Sequence, residues 1–180
     1  MKKLIPSLLL VMILSLIFAF RPSDAPAESK AVKWYTFEEA LELNKENPKK
    51  MFIDVYTDWC GWCKKMDKST FTDPAVAAYL NEHYYPVKFN AEQKEDIEFK
   101  GYSLKYLDNV GRRGVHELAY ALLDGRLGYP AFVYLDTKQD RISISPGYKE
   151  ADAMLTELEF IGEEHYNNMT YQEFKDQKHP

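Results

Sequence analysis

Residues 51–66, which read MFIDVYTDWCGWCKKM, decide the fold. Residues 51–56 are apolar, β-branched or aromatic except for Asp54, a composition typical of a buried strand. Cys60 and Cys63 follow after a short turn, and the residues that come after Cys63 have helical character. The segment therefore predicts a strand, a C-x-x-C motif and a helix in direct succession, within a domain that mixes strands and helices.

The position of the motif at the start of a helix has a chemical consequence. Unpaired N–H groups and the helix dipole favour an anion there, so the thiolate form of Cys60 is stabilised. Cys63 lies one turn further on, close enough to attack a mixed disulfide formed on Cys60. The alternatives are a structural disulfide or half of a metal site. Because so short a loop constrains little of the unfolded chain, a redox role is favoured.

The composition restricts the classes of protein that fit. The chain of 180 residues has two cysteines, too few for a disulfide framework, and its four histidines are not at zinc-finger spacing. Hydrophobic residues make up 46% and aromatic residues 14%, enough for a packed core. The formal net charge of −5 argues against a nucleic-acid binder. We predict no metal, no cofactor and no nucleic-acid partner.

Residues 1–27 have the layout of a secretory signal peptide. A basic start at residues 1–3 precedes an almost unbroken apolar run over residues 8–20, and residues 25–27 read APA, a cleavage pattern. The run is shorter than the roughly 20 residues that span a bilayer, and an uncleaved membrane anchor is the alternative. We expect a periplasmic or secreted chain of residues 28–180, with a formal charge of −7. Disulfides persist in such compartments.

The rest of the chain predicts one mixed α/β domain over residues 28–180. One helix is predicted from Thr36, which can form a capping box with Glu39, to Asn47, and a second follows Cys63. Further helices are predicted to begin at Pro74 and at Thr170 and to cover residues 115–123 and 150–160. Strands are predicted over residues 84–89, 131–135 and 141–145, the last two as a hairpin. Pro86 indicates an edge or strand-start position. Residues 161–180 form a predicted C-terminal helical extension.

The motif resembles the active-site segment of the thioredoxin superfamily. That family has an aspartate on the central strand six residues before the first cysteine and a tryptophan directly before it, which Asp54 and Trp59 match. The string DWCGWCKKMDKSTFTDPAV, residues 58–76, is most similar to exported members, including the C-terminal domain of the membrane thiol:disulfide interchange reductase. A cis-proline before a hairpin is a second marker, which Pro130 fits. The resemblance implies a thioredoxin fold over about residues 33–160, with a central mixed sheet flanked by helices.

The resemblance also implies catalytic roles. Cys60 would be the nucleophile and the more exposed cysteine, and Cys63 the partly buried resolving thiol. Asp54, buried with a raised pKa, would take the proton of Cys63. A surface position at a strand end is the alternative for Asp54. Lys88 matches a lysine that neighbours this aspartate, with a plain edge lysine as the alternative.

The aromatic residues around the motif suggest where a substrate binds. Trp59, Trp62, Tyr129 and Pro130 are the expected substrate-binding residues, and Tyr56 is a further candidate. Ordinary core or surface aromatics are the alternative. The dipeptide Gly-Trp between the cysteines replaces the Gly-Pro of thioredoxin itself, which leaves the direction of electron flow open.

A predicted insertion over about residues 91–115 lengthens the chain before the cis-proline loop. It carries Glu92 and the pair Arg112-Arg113, among other charged residues. The insertion either selects partners or is a surface feature without a role in partner selection. His83 and His116 lack a metal-binding or catalytic pattern and are expected to be structural.

These features together predict a thiol:disulfide oxidoreductase that acts on protein disulfides outside the cytoplasm, in the reductive direction. Its partners would be protein thiols and disulfides. A membrane thiol electron donor is implied by the resemblance alone. The rivals are a disulfide oxidase or isomerase, and a non-catalytic thioredoxin-like binding module.

Overall fold

The computed structural model describes residues 31–178, and the predicted signal peptide lies outside them. The helices are α1 (Phe37–Glu46), α2 (Gly61–Lys68), α3 (Pro74–His83), α4 (Glu117–Leu122), α5 (Ala151–Gly162) and α6 (Tyr171–Lys178). The strands are β1 (Lys50–Tyr56), β2 (Tyr84–Asn90), β3 (Ile97–Phe99), β4 (Tyr102–Leu104), β5 (Tyr106–Leu107), β6 (Val115–His116), β7 (Ala131–Leu135) and β8 (Arg141–Pro146). None of the described helices is long and apolar enough to cross a membrane.

A four-stranded mixed sheet forms the centre of the domain, in the order β2-β1-β7-β8. Strand β1 runs parallel to β2 and antiparallel to β7. Helices α1 and α4 pack on one face, and α2, α3 and α5 pack on the other. Because β1 is covered on both faces, its sequence is nearly continuous in apolar residues rather than alternating. The predicted mixed sheet flanked by helices is confirmed.

Three of the predicted helix starts, at Thr36, Pro74 and Thr170, are present. In the capping box of α1 the Glu39 N–H donates to Thr36 Oγ1 at 3.1 Å, and the Thr36 N–H donates to Glu39 Oε2 at 2.8 Å. Pro74 is the first residue of α3, where its missing N–H costs nothing. Thr170 caps α6 by accepting a hydrogen bond from the Glu173 N–H at 3.3 Å. Local side-chain chemistry thus defines these boundaries.

The predicted helix over residues 115–123 is wrong at its start. Val115 and His116 form strand β6, and α4 begins at Glu117. His116 Nδ1 accepts a hydrogen bond from the Leu118 N–H at 3.1 Å, so His116 caps the helix instead of belonging to it. Burial lowers the pKa of His116, which keeps the imidazole neutral and able to accept. The expected structural role of His116 agrees with this geometry.

Residues of the insertion form two small antiparallel ribbons that the sequence did not predict. One pairs β3 with β4 and the other pairs β5 with β6. Ile97 and Val115 are buried in the core beside Phe89. The ring nitrogen Nε2 of His116 lies 3.1 Å from the carbonyl oxygen of Glu95. The insertion is therefore packed against the domain at several points.

Gly114 is the tightest point of the β5–β6 ribbon. Its φ is +75°, and an added Cβ would clash with the Tyr106 side chain and lie 2.7 Å from the Leu107 carbonyl oxygen. We expect Gly114→Ala to lower the free energy of unfolding by about 2–3 kcal/mol through strain and overpacking. Gly111→Ala is the matched control, because Gly111 has a φ of +67° with no atom within 4 Å of the added Cβ. Gly111→Ala should lower the free energy of unfolding by about 1 kcal/mol. Equal urea-denaturation midpoints for the two variants would contradict the prediction.

Candidate active site

The two cysteines lie at the junction of β1 and α2, and they form a disulfide. Cys60 is the N-cap of α2, and the Cys63 N–H donates to Cys60 Sγ at 3.1 Å. The sulfur of Cys60 therefore sits where the helix terminus favours negative charge. This is the placement that the sequence predicted for the attacking cysteine.

The expected contrast in exposure between the cysteines is small. Cys60 is 4% exposed and Cys63 is 2% exposed, so both are buried in the disulfide form. The bond to Cys63 and the hydrogen bond from its amide turn the Cys60 side chain towards the helix. The helix terminus, rather than exposure, therefore distinguishes the two sulfurs.

Asp54 is buried in the middle of the central strand, so the surface alternative is wrong. It is 1% exposed, and its Oδ2 accepts a hydrogen bond from Lys88 Nζ at 2.6 Å. Its Oδ1 has no hydrogen-bond partner among the described residues. Burial raises the pKa of Asp54 to about 6, although the Lys88 ammonium opposes the shift. A carboxyl with this pKa can exchange a proton near neutral pH.

Lys88 connects Asp54 to the helix that carries Cys63. It lies opposite Asp54 in the β1–β2 register, and its Nζ also pairs with Asp67 of α2. Burial alone would lower the pKa of Lys88, but the two carboxylates outweigh it, so the pKa is raised and the ammonium stays charged. The sequence did not single out Asp67. Its position four residues after Cys63, on the same face of a helix, was the available signal.

Three aromatic rings surround the Lys88 ammonium. The ring centres of Trp34 and Tyr56 lie 5.0 Å from Nζ, and that of Phe71 lies 5.4 Å from it. Such cation–π contacts stabilise a charge away from water. Tyr56 thus contacts the Lys88 ammonium, and its suggested part in substrate binding stays a prediction.

Trp59, which directly precedes Cys60, contacts Tyr129, which directly precedes Pro130. The rings of Trp59 and Tyr129 meet edge to face at 5.9 Å, and Trp59 Nε1 donates to Glu92 Oε1 at 2.8 Å. The Tyr129-Pro130 peptide bond is cis, and Pro130 is buried. Burial, with a contribution from Glu92, raises the pKa of Tyr129 to about 12, so its hydroxyl stays neutral. Trp59 remains 53% exposed and available for contact.

Trp62 belongs to a separate aromatic pair. Its ring packs on Tyr148 at 5.0 Å, and Lys65 Nζ lies 4.5 Å from the Tyr148 ring centre. Trp62 is 57% exposed. Tyr148 was not predicted, because it follows β8 far along the chain and no sequence pattern links it to the motif. Two aromatic pairs, Trp59 with Tyr129 and Trp62 with Tyr148, therefore each combine an exposed tryptophan next to a cysteine with a half-buried tyrosine.

The described residues offer no obvious place for a metal ion. Within residues 31–178 there is no cluster of three or more His, Cys, Asp or Glu side chains that could hold one.

Comparison with known proteins agrees with this geometry. The model of the thioredoxin-like DsbH family, described as a protein of unknown function (DUF255), matches residues 25–148. The chain belongs to this family. In this DsbH-family chain the Cys60–Cys63 pair forms a disulfide.

Solved structures similar to the DsbH-family chain confirm the thioredoxin fold. One is described as DsbH oxidoreductase, with 19% identity, a TM-score of 0.54 and coverage of 82% of this chain and 92% of that one. Another is a thioredoxin-fold protein from Helicobacter pylori, with 21% identity, a TM-score of 0.55 and coverage of 73% and 80%. At these identities the likeness supports the fold alone.

A curated relative shares higher identity over a shorter segment. The thiol:disulfide interchange protein DsbD of Vibrio vulnificus is 40% identical over 62 residues, which cover 34% of this chain and 10% of the relative. The DsbH-family chain spans about a tenth of the length of this relative.

Proposed function

We propose that the chain is a thiol:disulfide oxidoreductase that reduces disulfides in other proteins. The observation that carries the proposal is the placement of Cys60 Sγ at the N-terminus of α2, 3.1 Å from the Cys63 amide. A thiolate is stabilised there, and the second sulfur is already within bonding reach. The 40% identity over 62 residues to a thiol:disulfide interchange protein supports the same chemistry.

The reaction begins with the dithiol form. The Cys60 thiolate attacks one sulfur of the substrate disulfide, the substrate S–S bond breaks, and its other sulfur leaves as a thiolate that takes up a proton. A mixed disulfide now joins Cys60 to the substrate. Cys63 loses its proton and attacks Cys60 Sγ, which releases the second substrate thiolate. The substrate gains two electrons and two protons, and the Cys60–Cys63 disulfide remains.

Asp54 is the proposed acceptor of the Cys63 proton. Its pKa of about 6 lets the carboxylate take a proton near neutral pH, and its buried position keeps bulk water from competing. Lys88 binds one carboxylate oxygen, Oδ2, and Oδ1 has no hydrogen-bond partner among residues 31–178. Oδ1 is therefore the oxygen proposed to accept the proton, directly or through a water molecule.

The reductive direction is supported by the modest stabilisation of the Cys60 sulfur. Among residues 31–178, only the Cys63 amide hydrogen-bonds to Cys60 Sγ, and no cationic side chain does so. The nearby ammonium of Lys88 is engaged by two carboxylates. Strong oxidants owe their high potential to a stabilised reduced form. A thiolate with fewer stabilising contacts favours the disulfide, and hence a reductant.

The proposed site of action is outside the cytoplasm. The signal-peptide pattern of residues 1–27 supports this location, as does the use of a disulfide by the only two cysteines. In such a compartment the pair needs a source of electrons. A membrane thiol relay is the proposed donor, supported by the similarity to DsbD over 62 residues.

Stoichiometric electron transfer tests the function. The chain is reduced, freed of reductant and mixed with excess insulin. We expect two thiols to appear on insulin for each Cys60–Cys63 disulfide that reforms. A folded, reduced chain that generates no thiols on insulin would overturn the proposal in favour of a binding module. A chain that instead oxidises reduced ribonuclease without transferring electrons to insulin would favour the oxidase.

A further inference from the structure

A pocket lies beside the proposed active site, between the Trp59–Tyr129 pair and the insertion. Its volume is about 330 Å³. Trp59, Tyr129, Leu127 and Val110 supply apolar walls, and the loop between β5 and β6 forms the far side. Trp59 directly precedes the attacking cysteine, and Tyr129 directly precedes Pro130. A peptide joined to Cys60 would therefore pass next to this pocket.

The far wall carries two adjacent arginines in a defined position. Arg112 and Arg113 both line the pocket and both are exposed. The Tyr106 hydroxyl donates to the Arg113 carbonyl oxygen, and Gly114 packs directly against the Tyr106 side chain. The short β5–β6 pairing closes the base of the loop. The backbone that presents the two guanidinium groups is thus anchored at its C-terminal side.

The positive charge of these arginines is not neutralised within the described part of the chain. Neither guanidinium forms an ion pair with a residue between 31 and 178, and the Arg113 guanidinium carbon lies 5.9 Å from the Trp59 ring centre. Glu92 also lines the pocket, but its Oε1 accepts the Trp59 indole N–H. In a chain with a net charge of −5, two adjacent unpaired arginines make this pocket locally cationic.

We infer that the pocket binds an acidic side chain of the protein substrate, close in sequence to the substrate's reactive cysteine. A guanidinium group pairs with a carboxylate through two parallel hydrogen bonds, which gives orientation as well as attraction. The apolar walls would hold the methylene groups of that side chain and its neighbours. The inference rests on the proposed function, since it assigns a specificity pocket to the same exchange reaction.

The test uses a Cys63→Ala background, in which Cys60 is the single thiol. The probes are two extended peptides with a central cysteine activated as a 2-pyridyl disulfide. One has glutamate two residues before and after the cysteine, and the other has glutamine there. The Cys60 thiolate attacks the peptide sulfur, the peptide–pyridyl S–S bond breaks, and released pyridine-2-thione is followed by absorbance. We expect the glutamate peptide to react about fivefold faster, as for one or two partly exposed ion pairs.

Variants of the two arginines locate the effect. Arg112→Gln with Arg113→Gln should make the two peptides react equally, and Arg112→Glu with Arg113→Glu should favour a matched lysine peptide. Lys138→Gln with Lys175→Gln is the control, because it removes two exposed charges outside the pocket lining. This control should keep the preference for glutamate. Neutral 4,4′-dithiodipyridine reports the intrinsic reactivity of Cys60 in every variant and corrects for changes in it.

The outcomes separate the two claims. Equal rates for both peptides in the Cys63→Ala chain, with normal reactivity towards dithiodipyridine, would overturn the pocket and leave the proposed function standing. A glutamate preference that survives loss of both arginines would also overturn it. A folded chain whose Cys60 reacts with none of the reagents would overturn the proposed function, and the pocket with it.

Discussion

Cys60→Ser is expected to lower the rate of protein-disulfide reduction by at least about a thousandfold, because it removes the attacking atom. Cys63→Ser is expected to stop turnover in a different way. Its Cys60 still attacks, but no second sulfur resolves the product, so a mixed disulfide accumulates. Intact mass spectrometry under non-reducing conditions measures this adduct directly.

The pair of variants tests the assignment of roles. Since both cysteines are nearly equally buried, the assignment depends on the helix N-terminus at Cys60. Unmodified protein from Cys63→Ser and a trapped substrate on Cys60→Ser would show that Cys63 is the attacking residue. Circular dichroism of both variants confirms that each is folded, so a loss of turnover reports chemistry.

Asp54→Asn is expected to stabilise the fold at neutral and alkaline pH. The pKa of Asp54 is raised from 3.8 to about 6 in the folded chain, so the folded state holds the proton more tightly than the unfolded state. The resulting stabilisation is present below about pH 4 and is lost as the pH rises through about 6. Asparagine does not titrate, so at about pH 8 the variant should gain about 2 kcal/mol over the wild type. The gain should disappear near pH 4, as measured by urea denaturation.

Asp67→Asn is the matched control for this stability change. It removes a carboxylate from the same ammonium of Lys88, but the Asp67 side chain is 40% exposed. A partly exposed ion pair contributes little, so its effect should stay within about 1 kcal/mol in either direction. Equal changes in the free energy of unfolding for Asp54→Asn and Asp67→Asn, or destabilisation by Asp54→Asn at about pH 8, would contradict the claim that burial raises the pKa of Asp54.

Asp54→Asn should also slow the resolution of the mixed disulfide. Loss of a positioned proton acceptor should lower the rate of this step about a hundredfold at neutral pH. The pH profile of the resolution rate should lose its inflection near pH 6, while the reaction of Cys60 with a small disulfide changes little. An unchanged resolution rate would remove Asp54 from the mechanism and leave it as a buried structural group.

The fold near the motif could be predicted because local sequence determines it. The run of residues 51–56 is apolar on both faces, which requires a central strand, and Thr36 and Pro74 define helix starts through their own chemistry. The expected pairing of Asp54 with Lys88 also agrees with the structure, since both lie on neighbouring strands in register.

The parts that escaped prediction depend on contacts between distant segments. The ribbons of the insertion are short strands of two or three residues in a polar region, which carry almost no periodicity. Tyr148 meets Trp62 only through the folded chain. Asp67 reaches Lys88 because α2 packs over the sheet. The similar burial of Cys60 and Cys63 likewise follows from tertiary packing around the disulfide.

The reduction potential of the Cys60–Cys63 pair tests most directly the claim that the chain is a reductant. It is measured by equilibrating the protein in dithiothreitol and glutathione redox buffers and quantifying the oxidised fraction. Because the Cys60 sulfur has few stabilising contacts, we predict a potential near the roughly −270 mV of thioredoxin. A potential near about −120 mV, that of a strong disulfide oxidant, would contradict the reductive function.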